Sequence, residues 1–154
     1  MLKGILQTDS RLDKPIRDYG CLFLCFAYAS PLIFDGAKGC KALNKIWKEA
    51  IKKGIITGDL NGDGDLDDDG EAMLLDHNRL ANEFFAMDVR YDNMHHTADE
   101  KIPSGLEAVF GRYVWKSGHF VVINKSKRVT YDPLGSSNAV KNGKLQSMRW
   151  YYAS

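Results

Sequence analysis

The fold of this chain is decided by the stretch Asp18-Tyr19-Gly20-Cys21-Leu22-Phe23-Leu24-Cys25-Phe26-Ala27-Tyr28-Ala29-Ser30-Pro31. It opens on a glycine after two polar residues, continues as an almost wholly apolar run and ends at a proline. A helix that is apolar on all sides belongs inside a domain, so the sequence predicts a buried central helix over Cys21–Ala29. Its first residue, Cys21, would meet unpaired backbone N–H groups and the positive end of the helix dipole, which both favour a thiolate.

Two amphipathic helices are predicted after the central one. Apolar residues at helical spacing predict a helix from Lys41 to Lys53 with a stop at Gly54. A further helix is expected to begin near Gly70 or Glu71. By contrast, the polar residues 1–17 are interpreted as an extended or looping arm without a regular helix.

The last third of the chain changes to the alternating pattern of strands. Alternating apolar, β-branched and aromatic residues predict strands over residues 106–115, 119–124, 128–132 and 148–152. Helices followed by strands indicate an α+β domain, with the central buried helix packed on a C-terminal antiparallel sheet. The length of 154 residues suits a single domain over residues 1–154.

Composition and charge exclude several classes of partner. The chain is 44% hydrophobic and 27% charged, and 21 basic against 20 acidic residues leave a net charge of +1. Such a balance provides no field to attract nucleic acid or an anionic membrane, and no apolar run approaches the ~20 residues of a transmembrane segment. The segment Met1–Gln7 turns polar too early for a signal peptide, so we expect a protein that stays in the cytosol or is released without a cleaved signal.

The three cysteines are predicted to be reduced. Cys21 and Cys25 lie one helical turn apart and are poorly aimed for a disulfide, while Cys40 is isolated in the sequence. Their spacing does not resemble a paired-cysteine zinc site. Cys25 and Cys40 are interpreted as small buried hydrophobic residues.

A catalytic cysteine needs a base and a group that orients the base. His119 opens a predicted strand after Lys116-Ser117-Gly118, and Asp132-Pro133 ends the following one. Taken singly, a histidine at a strand start is more often a surface residue, and Asp-Pro is a common turn signal. The order Cys, His, Asp nevertheless favours a site in which His119 is the base and Asp132 its partner.

The expected hairpin register supports the same pair. If residues 119–124 and 127–132 pair across a two-residue loop, His119 lies directly opposite Asp132, with Cβ atoms ~5 Å apart. The core-facing side of this hairpin would then carry Phe120, Val122, Val129 and Tyr131.

Four short motifs recur in one known family. They are Gln7 with Asp9, Gly20-Cys21, Gly118-His119-Phe120-Val121-Val122, and Asp132-Pro133. With these motifs the chain resembles the papain-like cysteine peptidases, closest to the bacterial group related to bacteriocin leader-processing (C39-like) peptidases. The resemblance implies a papain-like fold with Cys21 as nucleophile, His119 as general base and acid, and Asp132 as orienting group. It also implies that Gln7 donates its amide to the oxyanion together with the backbone N–H of Cys21; without the resemblance, a solvated polar residue is the alternative interpretation of Gln7.

An acidic, glycine-rich insertion over residues 59–71 resembles an EF-hand calcium loop. Its candidate ligands are Asp59, Asn61, Asp63, Asp65 and Asp67, with a glycine at the sixth position. The twelfth position is Gly70, where a bidentate Glu is expected, so Asp68, Asp69 or Glu71 would have to close the site. The sequence predicts a structural calcium ion here; a solvated acidic loop is the alternative.

These features predict a cysteine hydrolase that cleaves an amide bond through an acyl-enzyme. The expected substrate is a peptide, and the peptide stems of cell-wall polymers would suit the same chemistry, as would acyl transfer to an acceptor other than water. The alternative is a non-catalytic, calcium-stabilised binding module on a peptidase-like scaffold.

Overall fold

Helices dominate the first half of the chain and strands the second. The computed structural model describes residues 1–57, 70–71 and 73–154. In chain order the elements are β1 (Leu2–Lys3), α1 (Lys14–Tyr19), α2 (Cys21–Ala29), β2 (Phe34–Asp35), α3 (Gly36–Lys52), α4 (His77–Arg79), a π-helical turn (Leu80–Phe84), β3 (Val89–Tyr91), β4 (His96–Thr97), β5 (Leu106–Val114), β6 (Gly118–Ile123), β7 (Val129–Tyr131), α5 (Asn138–Asn142) and β8 (Lys144–Ala153).

The buried central helix is confirmed. Every residue of α2 from Cys21 to Ala27 is buried, and the Phe26 ring packs edge-on against Phe110 and Tyr151, with centroids 5.1 and 5.3 Å away. The helix ends at Ser30, whose backbone is extended before Pro31.

Helices and strands together form a mixed α/β fold that contains an antiparallel sheet. Its order is β3-β8-β5-β6-β7, and β4 also pairs with β8. One face of the sheet packs against α2 in the main hydrophobic core, and the other covers a smaller core that includes Val121 and Trp150. The four predicted strands are confirmed, whereas β3 and β4 were not predicted because each is too short to show an alternating pattern.

The N-terminal arm and α3 differ from the predictions. Residues 14–19 form the short helix α1 instead of a loop, since Pro15 lies in the first turn, where a missing N–H costs nothing. The helix predicted from Lys41 begins at Gly36, directly after β2 pairs in parallel with β1. Its predicted stop at Gly54 is confirmed by a left-handed φ of +73°.

The helix predicted to begin near Gly70 or Glu71 begins only at His77. The preceding residues instead pair with the chain before the acidic insertion: Leu74 forms an antiparallel bridge with Ile56, and the Thr57 N–H donates to the Met73 carbonyl at 2.8 Å. Asp76 then caps α4 by accepting from the Arg79 N–H at 3.0 Å. The predicted helix start near Gly70 or Glu71 was wrong, because this pairing satisfies backbone N–H and C=O groups that a helix would otherwise pair.

The predicted register of the β6–β7 hairpin is also wrong. Val122 pairs with Tyr131 and not with Val129, and a bulge separates this pair from Ile123 and Val129. The bulge moves Val129 to the face of the smaller core, where it packs beside Ile123.

The candidate calcium ligands Asp59, Asn61, Asp63, Asp65 and Asp67 lie outside the described residues. Within residues 1–57, 70–71 and 73–154, no group of three or more His, Cys, Asp or Glu side chains is placed to hold a metal ion. In the same ranges no helix combines the length and apolarity that crossing a membrane would require.

Candidate active site

Cys21 lies where two helices meet. Gly20 ends α1 by donating its N–H to the Ile16 carbonyl at 2.8 Å, and its own carbonyl accepts from the Leu24 N–H at 2.9 Å. A Cβ at position 20 would lie 2.4 Å from the Ile16 oxygen, so the close junction requires glycine. Cys21 is thereby fixed as the first residue of α2, with its side chain only 1% exposed.

The sheet reaches Cys21 through β6. The backbone N–H of Phe120 donates to the Cys21 sulfur at 3.4 Å. Such a donor stabilises negative charge on sulfur more than it stabilises a neutral thiol. The residue next to this N–H in the chain is His119, so the contact brings the start of β6 to the start of α2.

His119 is paired with Asp132. The His119 Nε2 and Asp132 Oδ1 atoms are 2.7 Å apart, and both side chains are buried. The observed register, continued by one residue, sets Asp132 across from Val121, two residues from His119. The contact deduced from the sequence is therefore confirmed, but as a diagonal pair and not as a directly opposite one.

Asp132 is held by more than the histidine. The backbone N–H groups of Leu134 and Ser137 each donate to its carboxylate at 2.9 Å. Burial raises the pKa of Asp132, but the hydrogen bonds from His119, Ser137 and Leu134 outweigh it and hold that pKa well below its usual range.

This arrangement fixes which nitrogen of His119 handles a proton. An ionised carboxylate only accepts hydrogen bonds, so Nε2 must carry the proton that faces Asp132. In the neutral ring Nδ1 then keeps its lone pair. Asp132 thus selects the tautomer in which Nδ1 is the basic atom.

Gln7 joins the N-terminal arm to the same region. Its backbone N–H donates to the Pro133 carbonyl at 2.7 Å, and its side-chain Nε2 donates to the Arg17 carbonyl at 3.1 Å. The side chain is buried. Because an amide nitrogen carries two hydrogens, one remains for another acceptor.

An open cleft of about 360 Å³ runs beside these groups. One wall is the Trp115-Lys116-Ser117 tip of the β5–β6 hairpin with Gly118 and His119. The rest is formed by Gln7, Arg17 and Asp18 and by the residues Leu134, Ser137, Asn138 and Ala139. Gln7 and His119 therefore share one cleft, whereas Cys21 and Asp132 are not among its lining residues.

Two contributors to the site were not predicted, the backbone donors of Leu134 and Ser137. The available signals were the Asp132-Pro133-Leu134-Gly135 turn and a serine that starts a helix. Ser137 caps α5 by accepting from the Val140 N–H at 3.3 Å. The first signal favours the Leu134 contact, because an aspartate side chain commonly accepts from the N–H two residues on, but neither signal shows that the Ser137 N–H reaches the same carboxylate.

Cys25, Cys40 and His77 have structural surroundings. Burial raises the pKa of Cys25 and of Cys40, as expected for inert thiols. All three cysteines are buried, and none of them is part of a disulfide. The ring of His77 stacks on Tyr91, and burial, with a contribution from Arg149, lowers the pKa of His77 to about 3.

Comparison with known proteins identifies one family. A family model described as "Protein of unknown function, DUF261" matches residues 1–153. No curated protein and no solved structure matches the chain.

Proposed function

We propose that this chain, which belongs to the DUF261 family, is a papain-like cysteine hydrolase that cleaves amide bonds in peptides. The observation that carries the proposal is the convergence of three separate segments. Cys21 at the start of α2 accepts from the Phe120 N–H, and the neighbouring His119 is paired with Asp132. A nucleophile, a base and an orienting group in this order match the logic of a catalytic triad.

In the proposed reaction the Cys21 thiolate attacks the carbonyl carbon of the scissile amide. The oxyanion that develops accepts hydrogen bonds from the Gln7 side-chain amide and the Cys21 backbone N–H. The C–N bond then breaks as protonated His119 gives its Nδ1 proton to the leaving amine. The product of this step is a thioester between Cys21 and the acyl half of the substrate.

Hydrolysis of the thioester completes the cycle. His119 accepts a proton from water as the water oxygen attacks the acyl carbon. The C–S bond breaks, the carboxylic acid leaves, and Cys21 is again a thiolate beside protonated His119. Asp132 stays ionised throughout and stabilises the imidazolium by its 2.7 Å contact.

The proposal is tested by alkylation of the cysteines with iodoacetamide across pH 5–9, read residue by residue with mass spectrometry. Thiolates are the reactive form, and an unperturbed cysteine has a pKa of about 8.5. We expect Cys21 to react well below that pH and far faster than Cys25 and Cys40. In His119→Ala the rate at pH 6 should fall about tenfold or more, because the imidazolium no longer stabilises the thiolate.

His95→Ala is the matched control, since His95 is exposed and distant in the chain from the cleft-lining residues. It should leave the Cys21 profile unchanged. Labelling of Cys21 as slow as that of Cys25, or indifferent to the loss of His119, would contradict the proposal.

One observation favours a second candidate, a non-catalytic binding module on the same scaffold. The Cys21 side chain is 1% exposed and is not among the residues that line the cleft. The two candidates differ in turnover: the hydrolase releases new N-termini from a peptide mixture and loses this activity in Cys21→Ala, whereas the binding module releases none.

A further inference from the structure

The described residues that line the cleft next to His119 carry an excess of positive charge. Among them are two cations, Arg17 and Lys116, and one carboxylate, Asp18. Asp18 is already paired with the Lys14 ammonium one helical turn earlier. The charge of Asp18 is thus compensated by a residue that does not line the cleft. In the described part of the chain, the Lys116 ammonium has an aromatic ring as its neighbour.

Lys116 lies at the tip of a β-hairpin, next to an aromatic ring. Val114 pairs with Gly118, so the three residues Trp115, Lys116 and Ser117 form the whole tip of the β5–β6 hairpin. The Lys116 ammonium lies 4.6 Å from the centre of the Trp115 ring. A cation held over an aromatic face loses less freedom when it binds a ligand than one that moves freely in solvent.

The chemistry of His119 tells which part of a substrate this tip would meet. The general acid must lie within hydrogen-bond distance of the leaving amine. His119 follows the tip on the same strand, so the wall that carries Lys116 flanks the leaving half of the substrate. Gln7, the proposed oxyanion donor, lines the cleft from a different segment of the chain, the N-terminal one that also contributes Arg17 and Asp18.

From this placement we infer that Lys116 binds a carboxylate on the leaving half of the substrate, with Trp115 packing against the same segment. The inference rests on the proposed hydrolase function. The carboxylate has two sources, the C-terminus of a short leaving peptide or an acidic side chain close to the scissile bond. In either case the substrate class is a peptide whose released portion is anionic.

The test uses a mixed hexapeptide library made in four forms and read by mass spectrometry. The C-terminus is either a free carboxylate or an amide, and the acidic positions are either Glu or Gln. We expect kcat/KM to favour the carboxylate forms about tenfold, as for a hydrogen bond to a charged group. The pair of forms that carries the preference identifies the source of the carboxylate.

Variants of Lys116 are expected to change the preference itself. In Lys116→Ala the ratio of kcat/KM between carboxylate and neutral forms should fall towards one, and in Lys116→Glu it should fall below one. Lys125→Ala removes the same charge from the exposed turn at the other end of β6 and should keep the ratio of the unchanged protein.

Binding is measured separately with Cys21→Ala, which cannot turn over, by titrating the carboxylate and amide peptides against tryptophan fluorescence. Tighter binding of the carboxylate form that disappears in Cys21→Ala/Lys116→Ala supports the inference. It does so even if the unchanged chain cleaves no peptide, because absence of cleavage would overturn only the proposed hydrolase function. Cleavage that depends on Cys21 but is indifferent to peptide charge, or equal binding of both forms, overturns the inference.

Discussion

Asp132 illustrates how single residues shape the candidate site. A buried carboxylate is unfavourable unless donors surround it, and Asp132 has three, from His119, Leu134 and Ser137. These donors keep it ionised, and its charge in turn fixes the tautomer of His119. The turn after β7 therefore sets the tautomer of the base His119 through Asp132, although Asp132 is not itself among the residues that line the cleft.

The lowered pKa of Asp132 predicts how the stability of the protein depends on pH. A carboxylate whose pKa is lower in the folded state than its unfolded value of about 3.9 stabilises the fold above that pH and loses this contribution as pH falls through the folded value. In Asp132→Asn the contribution is absent. The difference in free energy of unfolding between the two proteins should be largest above pH 5 and shrink below about pH 4.

Urea denaturation at a series of pH values measures this difference. Asp88→Asn, at an exposed aspartate, serves as the control and should show little difference from the unchanged protein at any pH. A difference for Asp132→Asn that stays constant from pH 3 to pH 7 would contradict the role assigned to the donors around Asp132.

At the scale of elements, close packing around α3 depends on Gly39. A Cβ at this position would lie 2.6 Å from a backbone carbon of Phe34 in β2 and 2.9 Å from the Ile5 side chain. Backbone atoms cannot move aside as the end of a side chain can. The absence of a side chain therefore lets α3 approach the β1–β2 pair, which lies at the start of the arm that carries Gln7.

Gly39→Ala is expected to lower the free energy of unfolding by about 1–3 kcal/mol through overpacking. Gly54→Ala provides the matched comparison, because a Cβ there meets open space and only the left-handed backbone opposes it. The cost at Gly54 should be about 1 kcal/mol. Chemical denaturation measures both values, and a cost at Gly39 no greater than at Gly54 would show that the helix can shift away.

At the scale of the whole molecule, the last residues of the acidic insertion contact both a helix and the sheet. Gly70 packs against α1, where a Cβ would lie 2.0 Å from the Tyr19 carbonyl oxygen. The guanidinium of Arg149 in β8 donates to both carboxylate oxygens of Glu71, at 2.5 and 2.9 Å. Glu71, one of the residues considered for closing the calcium site, is thus engaged by a cation.

We propose that the insertion binds a calcium ion that stabilises the whole fold through these attachments. Binding to the folded chain alone raises stability by about 2.7 kcal/mol at a free calcium concentration 100 times the dissociation constant. We therefore expect millimolar calcium to raise the melting temperature, and Asp63→Ala to abolish the rise. Asp88→Ala should retain the rise in melting temperature. If calcium does not change the melting temperature of the unchanged protein, the proposed site is refuted.

Local pattern was sufficient for much of the fold and for one contact of the candidate site. The uniform apolar run predicted α2, the alternation predicted four strands, and Gly54 marked the end of α3. These features could be predicted from short stretches of sequence, since periodicity is a property of consecutive residues. The pairing of His119 with Asp132 was predicted because residues on the same face remain within reach when the register shifts by two.

The sequence by itself thus determined which residues are apolar, where α2 and the four predicted strands lie, and that His119 and Asp132 come into contact. Only the tertiary structure decided that Glu71 pairs with Arg149, that the Ser137 N–H also reaches Asp132, and that a bulge turns Val129 to the smaller core. Each of these depends on which of several possible groups fills a buried hydrogen bond or a gap in packing. That choice is made by the balance of the whole core, and no short stretch of sequence contains it.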